Sequence, residues 1–364
     1  MSPHPRRRVY LHIGAPKTGT TYLQGRLALN AKSLADHGVH FPSKSALVSP
    51  GLFQFRAALD LLDQDWGGAP GHARGSWDTL VRRIRGLSGT TVVSHEILAP
   101  ATPAQVSRVK ADLVGCELHI VYSARDQGRQ IPAAWQESIK QGRKWTYRRY
   151  LSRVKRKEPW FARAFDLPLV LSTWSAGLPP EHVHVVTVPH QRGDALWLRF
   201  CEVFGIDPAW APKDGGRANE SLGVAETQLI RQLNRRMDRV ARREASFDEL
   251  IREMLAQDRL VPRKSAPLMM PPRMHPWAEA QAERWIEWIQ GSGVHLVGDL
   301  DDLRPAPPVE PADWANPDKV SRKKQLAAAL DALSVMTREA ARRPDPDDKM
   351  LAKVRTRVRE LREE

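Results

Sequence analysis

The chain has 364 residues, with 56 Lys and Arg against 42 Asp and Glu, a formal net charge of +14 at pH 7, and 2 cysteines. That charge creates a positive field for anions, whether phosphorylated small molecules or nucleic acid, while two cysteines exclude a disulfide framework and fit a reducing cytoplasm. No run approaches the roughly 20 apolar residues of a membrane span, so a membrane-spanning protein is excluded and a soluble, unexported one is expected.

Val9 to Ile13 reads as a short strand, and Thr20 onward, to about Ala35, carries apolar residues at helical spacing. Between them lies Gly14-Ala-Pro-Lys-Thr-Gly-Thr-Thr21. A strand feeding a glycine-bounded loop that opens a helix aims backbone N–H groups and the positive end of the helix dipole at one point, which suits an anion. The frame overlays the phosphate-loop pattern G-x-x-x-x-G-K-[ST], except that Thr20 stands where the lysine is expected and the cation is Lys17, inside the loop. Gly14, Lys17, Thr18, Gly19, Thr20 and Thr21 are the candidate phosphate ligands.

Val39 to Phe41 is a second short strand, and Leu52 to Leu62 and Trp77 to Leu87 read as helices. Thr90 to Ser94 is a β-branched strand that ends in His95-Glu96. In parallel α/β sheets the residues after a strand border the ligand crevice, which makes Ser94, His95 and Glu96 candidates for the active site. The competing reading of Glu96 is dipole capping of the helix that starts near Thr102. After the helix Pro103 to Val114, the strand Glu117 to Ser123 runs into Ala124-Arg125-Asp126 and then a helix, Gln127 to Gln141. Arg125 sits at another strand end, and Arg129 follows one helical turn later. A guanidinium fork suits phosphate oxygens, or Arg129 is a solvated helix residue.

Trp145 to Lys157 is strongly basic and is expected to border a cleft; Leu169 to Trp174 reads as helix and His182 to Val188 as strand. His182 and His184 form the closest histidine pair and share one strand face, but no third ligand is recognisable, so no metal is expected. Cys116 and Cys201 read as core filling. Leu196 to Phe204 is a helix closed by Gly205, and the loop Gly215 to Leu222 precedes a long helix, Val224 to Arg243, with Ser221 as a candidate N-cap. Pro262 to Pro276 is a plausible surface crossing, and Trp277 to Ile289 is a helix whose Trp285, Trp288 and Ile289 suit a core. Five prolines in the thirteen positions from Pro305 to Pro317 make a stiff linker. Val320 to Ala341 and Asp347 to Leu361 are charged helices, the first with an apolar stripe of Leu326, Leu330, Leu333 and Met336. The expected division is an α/β domain over 1–304, a linker over 305–318 and a helical tail over 319–364.

The strand, the loop Gly14 to Thr21 with its internal Lys17, and Arg125 at a later strand end together resemble the sulfotransferases that use 3′-phosphoadenosine 5′-phosphosulfate, over roughly the first 305 residues. The resemblance implies an α/β fold with a three-layer, P-loop-type parallel sheet flanked by helices, to which the tail adds a C-terminal helical extension. It implies transfer of a sulfuryl group to a hydroxyl or amine of a small-molecule or carbohydrate acceptor. The loop and Lys17 would hold the donor's 5′-phosphosulfate, with Lys17 catalytic as well as binding, and Arg125 would hold its 3′-phosphate. Glu96 or, as the alternative, His95 would be the base. The family's serine eight residues after the arginine is Ala133 here, a gap that Arg129 could fill, and Arg217 is a second-rank donor ligand or merely part of a helix-capping loop. No metal is implied. A P-loop kinase or NTPase and a non-enzymatic basic protein on nucleic acid are the alternatives; the first lacks its lysine after Gly19, and the second lacks a recognisable reader module. The tail is a candidate oligomerisation element.

Overall fold

The structure, a computed structural model, describes residues 7–66, 68–156, 158, 164–191, 193–215, 221–238, 251, 254–255, 260, 263 and 265–342. Its scaffold is a six-stranded, all-parallel sheet. The strands are β1 (Arg8–His12), β2 (Val39–His40), β3 (Thr90–Ser94), β4 (Glu117–Ala124), β5 (Val183–Thr187) and β6 (His295–Val297), in the spatial order β2-β3-β1-β4-β5-β6. The helices, numbered in chain order, are α1 (Thr20–Leu29), α2 (Ala31–Asp36), α3 (Pro50–Leu61), α4 (Ser76–Arg85), α5 (Pro103–Asp112), α6 (Gln127–Lys140), α7 (Tyr147–Lys155), α8 (Leu167–Ser175), α9 (Ala195–Phe204), α10 (Val224–Arg236), α11 (His275–Ser292) and α12 (Arg322–Arg342).

Alternation along the central strands fills both faces of the sheet. Tyr10, Val92, Val121 and Val186 meet Leu23 and Leu27 of α1 and Trp197, Phe200 and Phe204 of α9. Leu11, Val93, Ile120 and Val185 point the other way and are equally buried, on the face where α8 lies against β4. Cys201 belongs to the first of these layers, and burial pushes its thiol up to about 12. No described helix is long and apolar enough to cross a membrane.

The expected helix from Thr20 to Ala35 is broken at Asn30. The Asn30 side chain donates to Arg26 O and Lys213 O, each at 2.8 Å, and accepts from Lys213 N at 3.0 Å, so it ties the end of α1 to a distant loop. His182 is not in a strand: it ends the 3₁₀ turn Pro180–His182 ahead of β5. α10 is capped by Gly223 with no side-chain bond, so Ser221 does not cap it. Residues 239–243, the expected end of that helix, lie outside the described residues, as does the expected helix Asp347 to Leu361.

The chain divides into two compact units: Met1–Ser138, Trp145–Asn219 and Leu268–Ala315 in one, and Ile139–Lys144, Glu220–Pro267 and Asn316–Glu364 in the other. The first contains the sheet and also holds the proline-rich stretch to Ala315, where Trp314 Nε1 donates to Met269 O at 3.2 Å. In the second, α10 and α12 pack together, with Ala328 and Ala332 as the buried residues of α12. Leu326, Leu330 and Leu333 are exposed, so small side chains, not the leucine stripe, make the contact face.

Leu11 lies in register between Val93 and Ile120 at the sheet's centre, with no exposed surface. Leu11→Ala is expected to cost about 2–5 kcal/mol of unfolding free energy, measured by urea denaturation; an unchanged midpoint would show that this layer is not the core.

Candidate functional site

The strand order places β3, β1 and β4 side by side, so the segments that follow them emerge together at the carboxyl edge of the sheet, beside the point where the chain's direction of travel across the sheet reverses. These segments are His95-Glu96, the loop Ile13 to Gly19, and Arg125-Asp126. Backbone bonds pin them to one another. Ala15 N donates to Ser123 O (3.1 Å), and His95 N donates to His12 O (3.0 Å).

The loop opens α1. The first helical bond runs from Leu23 N to Gly19 O (3.0 Å), and no side chain caps the helix, which leaves the amides of Thr20, Thr21 and Tyr22 as the unmatched donors of a helix start. Gly19, the N-cap, has φ 96°, and Lys17 has φ 67°, a left-handed conformation that disfavours a side chain. Two contacts hold Lys17 there: Arg125 Nη1 donates to Lys17 O at 3.0 Å, and Lys17 Nζ meets Glu137 Oε2 at 3.1 Å. Gln130 Nε2 donates to Pro16 O at 2.9 Å, so α6 grips the loop through two side chains, Glu137 and Gln130.

Gly14 is required by close approach: a Cβ there would strike Ser123 Oγ, Ser123 N and His12 Nε2. Those atoms belong to a buried chain of hydrogen bonds beneath the loop. Thr18 Oγ1 donates to Ala15 O (2.6 Å), so Ser123 Oγ–H donates to Thr18 Oγ1 (2.5 Å), His12 Nε2–H to Ser123 Oγ (3.0 Å), and Ser94 Oγ–H to His12 Nδ1 (2.7 Å). Gln24 Nε2 donates to Ser94 O (2.6 Å), and Ser94 N to Gln54 Oε1 (2.7 Å). Burial first, then the nearby His95, lowers His12 to about 3, so its ring is neutral and each nitrogen keeps one role.

Of the phosphate-ligand candidates, Gly14, Lys17, Gly19 and Thr20 line one turn, and Thr20 Oγ1 is buried without a hydrogen-bond partner among the described residues. Thr21 is exposed. Thr18, fully buried, is engaged inside the loop and shapes it. Arg125 Nε is likewise buried without a hydrogen-bond partner. Burial and then the neighbouring Arg129 lower this guanidinium to about 10, against an opposing pull from Asp126. Arg129 is committed elsewhere: Nε pairs with Asp126, Nη1 donates to Pro189 O (2.8 Å) and Nη2 to Val188 O (3.0 Å). It therefore ties α6 to the end of β5, and Ala133 stays without a substitute from that side chain. Arg217 lies outside the described residues.

Glu96 does not cap α5. Thr102 does so, in a capping box with Gln105. Glu96 opens its own 3₁₀ turn, Glu96–Leu98, half-buried, 3.9 Å from His95 Nδ1. His95 Nδ1 accepts from Ile97 N (3.3 Å), its ring stacks on Phe55 with centroids 5.1 Å apart, and burial lowers its pKa. A neutral ring whose Nδ1 accepts carries its proton on Nε2 and has no second lone pair to offer.

His12 and Glu137 are the residues that the sequence reading passed over. A histidine closing an otherwise apolar strand directly before Gly14 was the available signal for the first; Glu137 stands 120 positions from its partner and carried none. No protein-family model matches the chain, and no curated protein or solved structure matches it.

Because His12 binds a proton in the unfolded chain near its ordinary 6.5 but in the folded chain only near 3, its contribution to stability is complete above 6.5 and is lost as pH falls through that window. Imidazole nitrogen shifts are expected to show a neutral His12 at about pH 5, and His12→Gln should flatten the acid limb of the stability curve. A charged His12 at that pH would contradict the arrangement.

Proposed function

We propose that the chain is a sulfotransferase that takes its sulfuryl group from 3′-phosphoadenosine 5′-phosphosulfate. The observation that carries this reading is the bond from Arg125 to the carbonyl of a left-handed Lys17, which joins the two anion-seeking groups at the start of α1. The residues present fit the donor's 5′ side: unmatched amides at the helix start, the buried Thr20 hydroxyl and the Lys17 amine. On the 3′ side the fit rests on Arg125, whose buried Nε lacks a partner.

The donor, when bound, supplies a sulfuryl group on a phosphate leaving group. Amides fixed by a helix start stabilise charge on that phosphate without reorganising, which makes them efficient in the low dielectric beneath the loop. Lys17, held by Glu137 in the structure, turns from that carboxylate to the phosphate oxygen on which charge develops. Glu96 takes the proton of the acceptor hydroxyl or amine, which must come within hydrogen-bond reach. His95 suits the role less, because its accepting nitrogen is engaged by Ile97 N. The acceptor is a small molecule or glycan, bordered by the basic region around α7.

Calorimetric titration with adenosine 3′,5′-bisphosphate and with ATP plus magnesium tests the reading. The bisphosphate is expected to bind the more tightly, without magnesium, and Arg125→Ala to weaken it by about 1.5–3 kcal/mol, as for a charge-assisted bond. Glu96→Gln should bind as the parent does yet fail to transfer labelled sulfate. Equal affinity for ATP, or an indifferent Arg125→Ala, would overturn the assignment of the donor.

A further inference from the structure

The amino edge of the sheet, opposite the loop, gathers a second set of chemistry-bearing residues. Glu117 opens β4 with His119 two positions on, His182 ends the turn into β5, His184 lies within β5, and His295 opens β6. Parallel pairing brings them together: β4 is hydrogen-bonded to β5, and His184 is in register with His295.

The inner part of this set is a directed chain of hydrogen bonds. Glu117 Oε1 accepts from His119 Nε2–H (2.9 Å). That leaves His119 Nδ1 to accept from His184 Nε2–H (2.9 Å), and His184 Nδ1 to accept from His295 Nδ1–H (2.9 Å). His119 is fixed between two rings, Tyr10 at 4.6 Å and His182 at 4.3 Å between centroids. One ligand atom each from Glu117, His119 and His182 lie within 4.8 Å of one another. Glu117 and His182 also line a cavity of about 440 Å³, together with Arg7, Gly115 and Cys116.

We propose that Glu117, His119 and His182 bind one zinc ion at this edge of the sheet. Two imidazoles and a carboxylate are a donor set that zinc takes in tetrahedral sites, and the cavity leaves the fourth position to water. His182, half-buried at the end of its turn, is the ring that rotates to bring its nitrogen onto the ion.

Coordination through His119 Nε2 requires a lone pair there. The proton then resides on Nδ1 and is donated to His184 Nε2, whose own proton moves to Nδ1 and is donated to His295 Nδ1. Each ring keeps one proton: His119 gives one to solvent as His295 gains one at Nε2, so none is released overall. His184 and His295 are therefore positioning residues, the counterpart of the outer groups that orient metal-bound imidazoles elsewhere. The opposing charges are Arg7, which lines the cavity, and Arg8, whose Nε lies 2.9 Å from Glu117 Oε1 but whose side chain is 44% exposed and able to swing into water.

The test uses the full chain, treated with a chelator and titrated calorimetrically with zinc sulfate. One ion per chain is expected. His182→Asn and Glu117→Gln should abolish that site, and His184→Asn should weaken it by about 10- to 100-fold. Arg8→Gln should tighten it by removing the competing cation. Zinc should raise the melting temperature of the parent but not of His182→Asn, and cobalt should give visible ligand-field bands that His182→Asn lacks. Absence of a saturable single site, or binding unchanged in both His182→Asn and Glu117→Gln, would overturn the proposal. Either result leaves donor binding at the opposite edge unaffected, so the two readings fail separately.

Discussion

A guanidinium that donates to the carbonyl of a residue in a disfavoured backbone conformation is the contact on which this site depends. Lys17 has a left-handed φ, which costs of order 1–3 kcal/mol when the residue is not glycine, and Arg125 Nη1 and Glu137 hold the residue at its two ends. The bond also determines where Arg125 can face. With Nη1 engaged and Nε buried without a partner, the remaining positive charge is confined beside the start of α1. A helix start offers partial positive charge there, and a buried cation adds to it. Such a point suits an anion.

The polar chain beneath the loop explains why strand ends, not surface side chains, determine the geometry. Ser94, His12 and Ser123 come from β3, β1 and β4, and the register His12↔Ser94 makes the first two direct neighbours across paired strands. Thr18 extends the chain into the loop and Gln24 and Gln54 secure its far end. A fully satisfied buried network of this kind specifies one arrangement, since an unmatched partner would carry a desolvation penalty. The three segments that bear Glu96, Lys17 and Arg125 are thus linked through their strand ends.

The parallel α/β sheet was legible because its strands are short β-branched runs bounded by turn residues; Thr90 to Ser94 is a strand to the residue. The loop and Arg125 were legible for the same reason, as each follows such a run. What stayed hidden was pairing at long range. Nothing near Lys17 announces Glu137, and nothing near Arg129 tells that its fork will meet two carbonyls at the end of β5. Asn30 likewise looks like an ordinary helix residue until Lys213 supplies its partners. The cluster at the amino edge is hidden in the sequence because Glu117 and His119 open one strand while His182 ends the turn before another, 63 positions on, and only the pairing of β4 with β5 joins them.

The most direct measurement is an experimental structure of the chain with adenosine 3′,5′-bisphosphate. The 5′-phosphate is expected on the amides of Thr20 and Thr21, with Lys17 Nζ withdrawn from Glu137, and the 3′-phosphate on Arg125. A nucleotide bound away from α1, or one whose 3′-phosphate leaves Arg125 untouched, would contradict that placement.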